Sequence, residues 1–187
     1  MTSPTATAPR VPARDRLLRA ASELFYEDGI NATGVERVAS QAQVTKATLY
    51  NNFRSKDELI AEYLSLGLTA ATAWMEQINR DEPTPQRRLS AMFEQLADDV
   101  RLGRFHGCPF ASAAVEVPQS KAAMVQVRKH RAMQLEQISQ MVGGHESKAE
   151  LILALYDGAM IAMKSGAGAD TIGRARDASI QLLDTPG

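Results

Sequence analysis

Residues 33–53 constrain the fold of this chain more than any other stretch, because they hold two short helical patterns joined by a tight turn. Val38 and Ala39 mark the inner side of the first pattern, and Leu49 belongs to the second. The second pattern, 45–52, is too short to form a stable helix alone in water. It must therefore pack against its neighbour while its other side faces a partner.

The outer side of the second pattern is polar and suits a nucleic-acid partner. Thr45 is placed to begin this helix as an N-cap, because a threonine side-chain oxygen accepts a hydrogen bond from an unpaired helix N–H. Small donors and acceptors with one cation are the groups that phosphates and major-groove base edges accept. The pattern is typical of a helix-turn-helix, and its outer side holds Thr45, Lys46, Thr48, Asn51 and Asn52.

Two further helix starts can be read around this motif. Thr33 followed by Glu36 predicts a capping box, in which the hydroxyl and the carboxylate each satisfy a backbone N–H. Ser55 with Glu58 predicts a second capping box, which begins a long helix reaching about Asn79. We expect this long helix to join the N-terminal region to the rest of the chain.

Four groups of residues match one known family in order along the chain. They are Ala20, Ala21, Leu24, Phe25 and Gly29; Thr33, Val35, Val38 and Ala39; Val44, Thr45, Lys46, Thr48, Leu49, Tyr50 and Phe53; and Ser55, Lys56, Asp57, Glu58 and Leu59. On these positions, residues 14–63 resemble the N-terminal DNA-binding domain of the TetR/AcrR family of bacterial transcriptional regulators. Three positions depart from the family pattern: Gln43 and Ala47 stand where glycine is usual, and Asn52 stands where histidine is common.

The resemblance implies a set of DNA-contacting residues. Lys56 and the first N–H groups of the long helix are expected to meet a phosphate, and the change at Asn52 is expected to alter one phosphate contact. The predicted DNA-binding residues are Thr33, Gly34, Thr45, Lys46, Thr48, Tyr50, Asn51, Asn52 and Lys56.

Charge is distributed unevenly along the 187 residues, although the net charge is only −1. Residues 1–56 contain 8 Lys/Arg against 5 Asp/Glu, and the remainder contains 13 against 17. A basic N-terminal region on an acidic body suits a protein that meets phosphate at one end. The chain has one cysteine, no apolar run long enough to span a membrane and no apparent signal peptide, so we expect a cytoplasmic protein without membrane contact.

Helical patterns without strand alternation predict an all-α fold of about nine helices, with a three-helix helix-turn-helix domain before a larger helical domain. We place a disordered tail at 1–12, the DNA-binding domain at 13–55 and an effector-binding and dimerisation domain at 56–187. The tail is rich in Ser, Thr, Pro and Ala; Arg10 and Arg14 could alternatively reach a minor groove.

The body of the chain has clear helix boundaries. Thr84 and Pro85 predict the start of a helix that runs to about Leu102, since Thr caps helices and Pro favours the first helical position. A short helix follows the sequence GCPF, and a longer one is closed by Gly143-Gly144. Two final helices are expected at about 147–165 and 170–183.

The resemblance implies that the last two helices form a homodimer. The alternative is that their small-residue faces pack within one chain. Residues at three and four spacing are compatible with a four-helix seam between two copies; they are Leu151, Leu155, Gly158, Ala159 and Ala162, and Ile172, Ala175, Ser179 and Leu182.

The resemblance also implies a ligand cavity in the body. Methionines and aromatic residues suit an adaptable apolar cavity, but the same residues commonly form plain core. The predicted ligand-binding residues are Trp74, Phe93, Cys108, Phe110, Glu116, His130, Met133, Tyr156 and Met160, with Met92 and Met124 as further apolar candidates. No metal site is expected, because Cys108, Glu116 and His130 lack metal-ligand spacing. Cys108 is either an inert buried thiol or a sensor of oxidants.

These observations favour a ligand-responsive DNA-binding regulator over an enzyme. No nucleophile–base pair, phosphate-cradling glycine loop or metal spacing is present, and no cofactor is implied. We expect a repressor that binds a palindromic double-stranded operator as a dimer and is released by a small molecule. The alternatives are an activator of the same fold and, from a different class, a helical protein-interaction module without specific DNA binding.

Overall fold

A computed structural model describes residues 11–168 and 170–185. These residues form nine α-helices and one short 3-10 helix, and no strand occurs among them. The predicted all-α fold is therefore confirmed. Residues 1–10 of the predicted tail, including Arg10, lie outside the described residues. The helices are α1 (Ala13–Glu27), α2 (Val35–Gln41), α3 (Lys46–Asn52), α4 (Lys56–Asp81), α5 (Pro85–Arg101), α6 (Pro109–Glu116), α7 (Lys121–Met141), α8 (Glu146–Lys164) and α9 (Asp170–Gln181), with the 3-10 turn at Leu182–Asp184.

The chain divides into two compact units between Tyr63 and Leu64, inside α4. The sequence predicts the division between the two domains at 55/56. The first two turns of α4 belong to the N-terminal unit because Leu59, Ile60 and Tyr63 are buried there. The Tyr63 ring meets the edge of the Phe25 ring at a centroid separation of 5.6 Å.

The core of the first unit is formed by α1 packing on α2 and α3. Leu17, Ala21 and Leu24 of α1 are buried, as the helical spacing predicts. The helix ends at Glu27, and Gly29 follows with φ of +97°, a backbone conformation that glycine adopts without steric cost. The predicted stop at Gly29 is confirmed.

The predicted capping box at the start of α2 is wrong. The N-cap is Gly34 and no side chain caps the helix. The Thr33 hydroxyl instead donates to the carbonyl oxygens of Gly29 at 2.8 Å and Leu24 at 3.3 Å, which ties the loop back to the end of α1. Glu36 faces α3, where its carboxylate meets Lys46.

The start of α4 agrees with the expected Ser-x-x-Glu pattern in its main feature. The Ser55 side-chain oxygen accepts a hydrogen bond from the backbone N–H of Glu58 at 3.1 Å. The Glu58 carboxylate accepts from the N–H of Arg54 at 2.7 Å, one residue earlier than in an ideal capping box. Both groups fix the point at which the chain leaves α3 and enters α4.

The second unit has its own apolar core, formed mainly by α5, α7, α8 and α9. Thr84 caps α5 by accepting from the N–H of Arg87 at 3.2 Å, with Pro85 in the first turn, as predicted. Positive φ values at Gly143 and Gly144 end α7 as expected. The largest fully buried side chains of this unit are Leu64, Leu89, Met92, Phe93, Ile138, Met141 and Ile152.

The predicted dimer stripe on the last two helices is partly wrong. Ala159, Ile172 and Ser179 are buried inside the protomer, since α8 and α9 pack on each other and α9 packs on α5. On α8 the exposed large apolar side chains are Leu151, which is 54% exposed, and Ile161, which is 61% exposed. Leu151 and Gly158 of the predicted set are therefore open to solvent on α8, together with Ile161, which is not in that set.

Candidate nucleic-acid interface and effector cavity

Helix α3 is held by a predicted hydrogen bond at its N-terminal end and by buried side chains on its inner side. The Thr45 hydroxyl accepts from the N–H of Thr48 at 3.1 Å, so the predicted N-cap is confirmed. Leu49 and Phe53 are fully buried and fix the inner side of the helix. Such anchoring allows a seven-residue helix to persist, because its stability comes from packing rather than from its own length.

The other side of α3 is open to solvent and polar. Thr45, Lys46 and Asn51 are exposed, and Tyr50 is 44% exposed. Ala47 is also exposed, and the sequence analysis did not assign it to this surface. The surface can therefore present one cation, a hydroxyl, an amide, a phenol and a methyl group to a partner.

Two of the predicted contact residues are half-buried. Thr48 places its hydroxyl 2.9 Å from that of Thr45. The Asn52 amide donates to the carbonyl oxygen of Thr48 at 2.8 Å, one helical turn earlier. The amide of Asn52 is thus engaged within α3, whereas its carbonyl oxygen is left to accept from another donor.

The turn between α2 and α3 is stabilised by a residue that the sequence analysis missed. The guanidinium of Arg16 in α1 donates to the carbonyl oxygen of Ala42 at 2.7 Å and to that of Gln43 at 3.3 Å. Gln43 has φ of +55°, the only positive φ at a non-glycine position in the described ranges. Gln43 stands where the family usually has glycine. That departure is the signal in the sequence for a positive φ at this position.

Lys46 does not stand alone on the surface of α3. Its ammonium lies 2.5 Å from the carboxylate of Glu36 on α2, and the side chains are 55% and 67% exposed. The hydrogen bond between the two groups raises the pKa of Lys46 and lowers the pKa of Glu36, since it favours the charged form of each. The candidate surface therefore includes a carboxylate that the sequence assigned to a helix cap.

Three other predicted contact residues occupy different environments. The Thr33 side chain is fully buried and its hydroxyl donates to backbone carbonyls. The prediction that this side chain contacts DNA is therefore wrong. Gly34 is exposed at the N-cap of α2. Lys56 donates to the carbonyl oxygen of Ile30 at 2.6 Å and is half-buried. Because an ammonium has three donors, Lys56 can keep this bond while it also meets a phosphate.

The second unit contains a cavity of about 540 Å³ bordered by α6, α7 and α8. Its lining is mainly apolar and includes Val127 and Ile161, which the sequence analysis did not select. Five predicted ligand-binding residues line this cavity: Cys108, Phe110, Glu116, His130 and Met160.

The other four predicted ligand-binding residues belong to the core and not to this cavity. Phe93 is fully buried and meets the Tyr156 ring edge to face, with centroids 5.3 Å apart. Trp74 and Met133 are partly buried against the same core. Their assignment to the ligand site is therefore corrected, because an apolar residue at helical spacing carries the same sequence signal whether it lines a cavity or fills the core.

Several titratable groups line the cavity. His130 stacks face to face on Phe110, with centroids 3.7 Å apart, and burial lowers the pKa of His130 to about 4. Burial raises the pKa of the Cys108 thiol, which favours an inert thiol over a sensor. Arg131 and Asp157 form an ion pair at the cavity lining. Near neutral pH the cavity therefore offers a neutral imidazole and thiol and apolar side chains, and its lining also includes Glu116 and Lys164.

Metal and membrane features are reported for the part of the chain that the structure describes. No three His, Cys, Asp or Glu side chains come together there in an arrangement that could hold a metal ion. None of the helices formed by those residues combines the length and the apolar character needed to cross a membrane.

Comparison with known proteins agrees with this architecture. Residues 17–63 match the family described as bacterial regulatory proteins, tetR family. The transcriptional activator FasR of Mycolicibacterium smegmatis is 36% identical over 92 residues, which cover 49% of this chain and 42% of that protein. The transcriptional repressor KstR2 of the same organism is 32% identical over 87 residues, which cover 46% and 42% respectively. The matched part thus spans less than half the length of these curated relatives.

A solved structure extends the similarity to the second unit. SCO4454, a TetR-family transcriptional regulator from Streptomyces coelicolor, is 28% identical with a TM-score of 0.84, covering 91% of this chain and 94% of that one. The first unit is a helix-turn-helix domain, and the second unit is a larger helical domain. Residues 17–63 therefore belong to the tetR family of bacterial regulatory proteins, which confirms the resemblance at residues 14–63, and the chain as a whole shares its fold with a TetR-family regulator. The relatives named above regulate transcription and are not enzymes.

Proposed function

We propose that this protein is a transcriptional repressor that binds a palindromic DNA operator as a homodimer and is released by a small molecule. The observation on which this rests is the exposed polar side of α3, anchored from below by Leu49 and Phe53 and capped by Thr45. The match of residues 17–63 to the tetR family supports this side as the recognition surface, since the second helix of a helix-turn-helix enters the major groove. A regulator of this kind must reach duplex DNA where transcription takes place, so we propose that the protein is cytoplasmic.

The side chains of α3 supply two kinds of contact. Lys46 and the exposed Asn51 amide are suited to phosphate oxygens, which position the protein without reading sequence. Thr48 and the methyl group of Ala47 are suited to base edges, where a hydroxyl bonds to acceptors and a methyl meets the methyl of thymine. We therefore assign phosphate contacts to Lys46 and sequence reading to Thr48.

A second copy of this chain is proposed to cover the exposed apolar stripe of α8. Leu151 and Ile161 are its large side chains, with Ala154 and Gly158 exposed between them. A groove lined by Leu151, Leu155 and Leu182 lies beside the stripe, between α8 and the C-terminal end of α9. A two-fold dimer would bury this surface and present two α3 helices to half-sites about 34–36 Å apart.

The cavity bordered by α6, α7 and α8 is proposed as the effector site. Its volume of about 540 Å³ falls in the range of small-molecule sites. A mainly apolar lining, a neutral His130 and Cys108 and the mutual pairing of Arg131 with Asp157 favour a largely apolar effector. The effector would act by binding more tightly to a state of the dimer that no longer fits the operator.

An activator of the same fold is the second candidate. Among the relatives, KstR2 is named as a repressor and FasR as an activator, and each match covers about half of the chain. A reporter gene placed behind the identified operator distinguishes the two, because deletion of a repressor raises its expression and deletion of an activator lowers it. The helical protein-interaction module without specific DNA binding is the remaining alternative.

Selection of bound duplexes from a random pool tests the proposed function. We expect enrichment of one inverted repeat, whose binding survives moderate salt while binding to random duplex falls steeply. Lys46→Ala should weaken binding to both duplexes, whereas the exposed Lys121→Ala on α7 is a control that should leave it unchanged. Absence of any enriched sequence, with salt-sensitive binding alone, would favour a protein without specific DNA recognition.

A further inference from the structure

The ion pair between Glu36 and Lys46 joins the two helices of the helix-turn-helix on their solvent side. The two charged groups are 2.5 Å apart, and neither side chain is buried. Lys46 is the only cation in α3, and Glu36 is the only acid in α2. The cation on which phosphate binding by α3 depends is therefore already bound to a carboxylate in the free protein.

A DNA phosphate would compete with this carboxylate for the same ammonium. An ammonium has three donors and can in principle bond to both anions. Sharing would nevertheless place the negative charge of Glu36 beside a negative phosphate, and the two repel each other. Glu36 therefore opposes duplex binding whether the ion pair breaks or is shared.

We propose that Glu36 attenuates DNA binding by holding Lys46 in an ion pair that a phosphate must displace or share. The effect is independent of base sequence, since it acts through a phosphate contact and not through a base edge. Because non-specific binding consists almost entirely of such contacts, Glu36 limits how tightly the protein holds duplexes of unrelated sequence. The inference rests on the proposed DNA-binding function.

Glu36→Gln tests this proposal, because it keeps the shape of the side chain and removes its charge. Binding of the full-length protein to a random duplex and to the selected operator is measured by fluorescence anisotropy over a series of salt concentrations. We expect affinity at low salt to rise roughly three- to tenfold for both duplexes, and the slope of log K against log salt to steepen by about 0.9 for each phosphate newly neutralised.

Two matched variants separate the ion pair from bulk charge. Glu94→Gln makes the same change at an exposed position of α5 in the second unit, and it should leave affinity unchanged. In a Lys46→Gln background, Glu36→Gln should raise affinity much less, since it then relieves only the repulsion between Glu36 and a phosphate and frees no cation. Thermal unfolding of each variant confirms that the comparison is made between folded proteins.

The results either support or overturn the proposal. Unchanged affinity in Glu36→Gln overturns it, as does a gain equal to that of Glu94→Gln, a gain confined to the operator or a gain that is as large without Lys46 as with it. If the wild-type protein binds neither duplex, the proposed function fails and this inference fails with it. If the wild-type protein binds DNA and Glu36→Gln binds no tighter, only this inference fails.

Discussion

The Thr45 side-chain oxygen accepts a hydrogen bond from the backbone N–H of Thr48 at 3.1 Å, and the two hydroxyls lie 2.9 Å apart. This cap satisfies one of the unpaired N–H groups at the start of α3, a helix of seven residues. The cap and the buried side chains beneath it together hold the exposed polar side of α3 in a helical conformation.

Loss of this cap should destabilise the N-terminal unit. Thr45→Ala is expected to lower the free energy of unfolding by about 1 kcal/mol, because the N–H of Thr48 loses its acceptor. Thr45→Ser keeps an acceptor and should cost only a few tenths of that amount. Urea unfolding followed by circular dichroism measures both variants. Equal stability of Thr45→Ala and wild type would show that the cap contributes nothing.

The turn before α3 should be improved by glycine. Gln43 has φ of +55°, a region where a side chain carries a steric cost that glycine avoids. We expect Gln43→Gly to raise the free energy of unfolding by roughly 0.5–1 kcal/mol. Gln43→Ala retains the Cβ atom and should give no such gain. A Gln43→Gly protein less stable than wild type would mean that the Gln43 side chain makes a stabilising contact.

The sequence predicts the framework of this fold well because helix boundaries depend on local chemistry. The caps at Thr45, Ser55 and Thr84 and the stops at Gly29 and Gly143 each involve residues within a few positions of one another. Local rules of this kind are independent of how the helices pack, so they can be read without coordinates.

Contacts between distant parts of the chain could not be read in the same way. Arg16 bonds to the carbonyl oxygens of Ala42 and Gln43, which lie 26 and 27 residues away. Thr33 resembles a helix cap in sequence, yet its hydroxyl bonds backward to α1. In the second unit, Phe93 and Phe110 carry similar apolar signals, but one fills the core and the other lines the cavity.

The buried imidazole at the cavity should make the stability of the second unit depend on pH. The pKa of His130 is lowered to about 4 in the folded protein, so the unfolded chain, with a pKa near 6.5, takes up the proton first. The contribution of neutral His130 to the free energy of unfolding is therefore fully present above about pH 6.5. It falls by about 3 kcal/mol as the pH approaches 4.

His130→Phe removes the titrating group while keeping a ring to stack on Phe110. Urea unfolding at pH 7 and pH 4 should show a loss of stability that is smaller in His130→Phe than in wild type by about 3 kcal/mol. An NMR titration of His130 in the wild-type protein measures the same quantity directly. An identical pH dependence in the two proteins would contradict a buried neutral imidazole.

The exposed stripe of α8 should govern the oligomeric state. Leu151→Glu places a charge where we expect a second copy to pack, so it should convert the dimer to a monomer at micromolar concentration without unfolding it. Val125→Glu on α7 changes another exposed apolar residue away from the stripe and should remain dimeric. Analytical ultracentrifugation distinguishes the species. A wild-type monomer, or a dimer insensitive to Leu151→Glu, would place the dimer contact elsewhere or exclude it.

Selection of duplexes by wild type and by Thr48→Val side by side tests most directly whether the outer side of α3 reads DNA. Valine keeps the shape of threonine and removes the hydroxyl that we assign to a base edge. The account predicts an inverted repeat for wild type and a changed base preference in Thr48→Val at one symmetric pair of positions, one in each half-site. An identical preference for both proteins, or no enriched sequence for wild type, would contradict it.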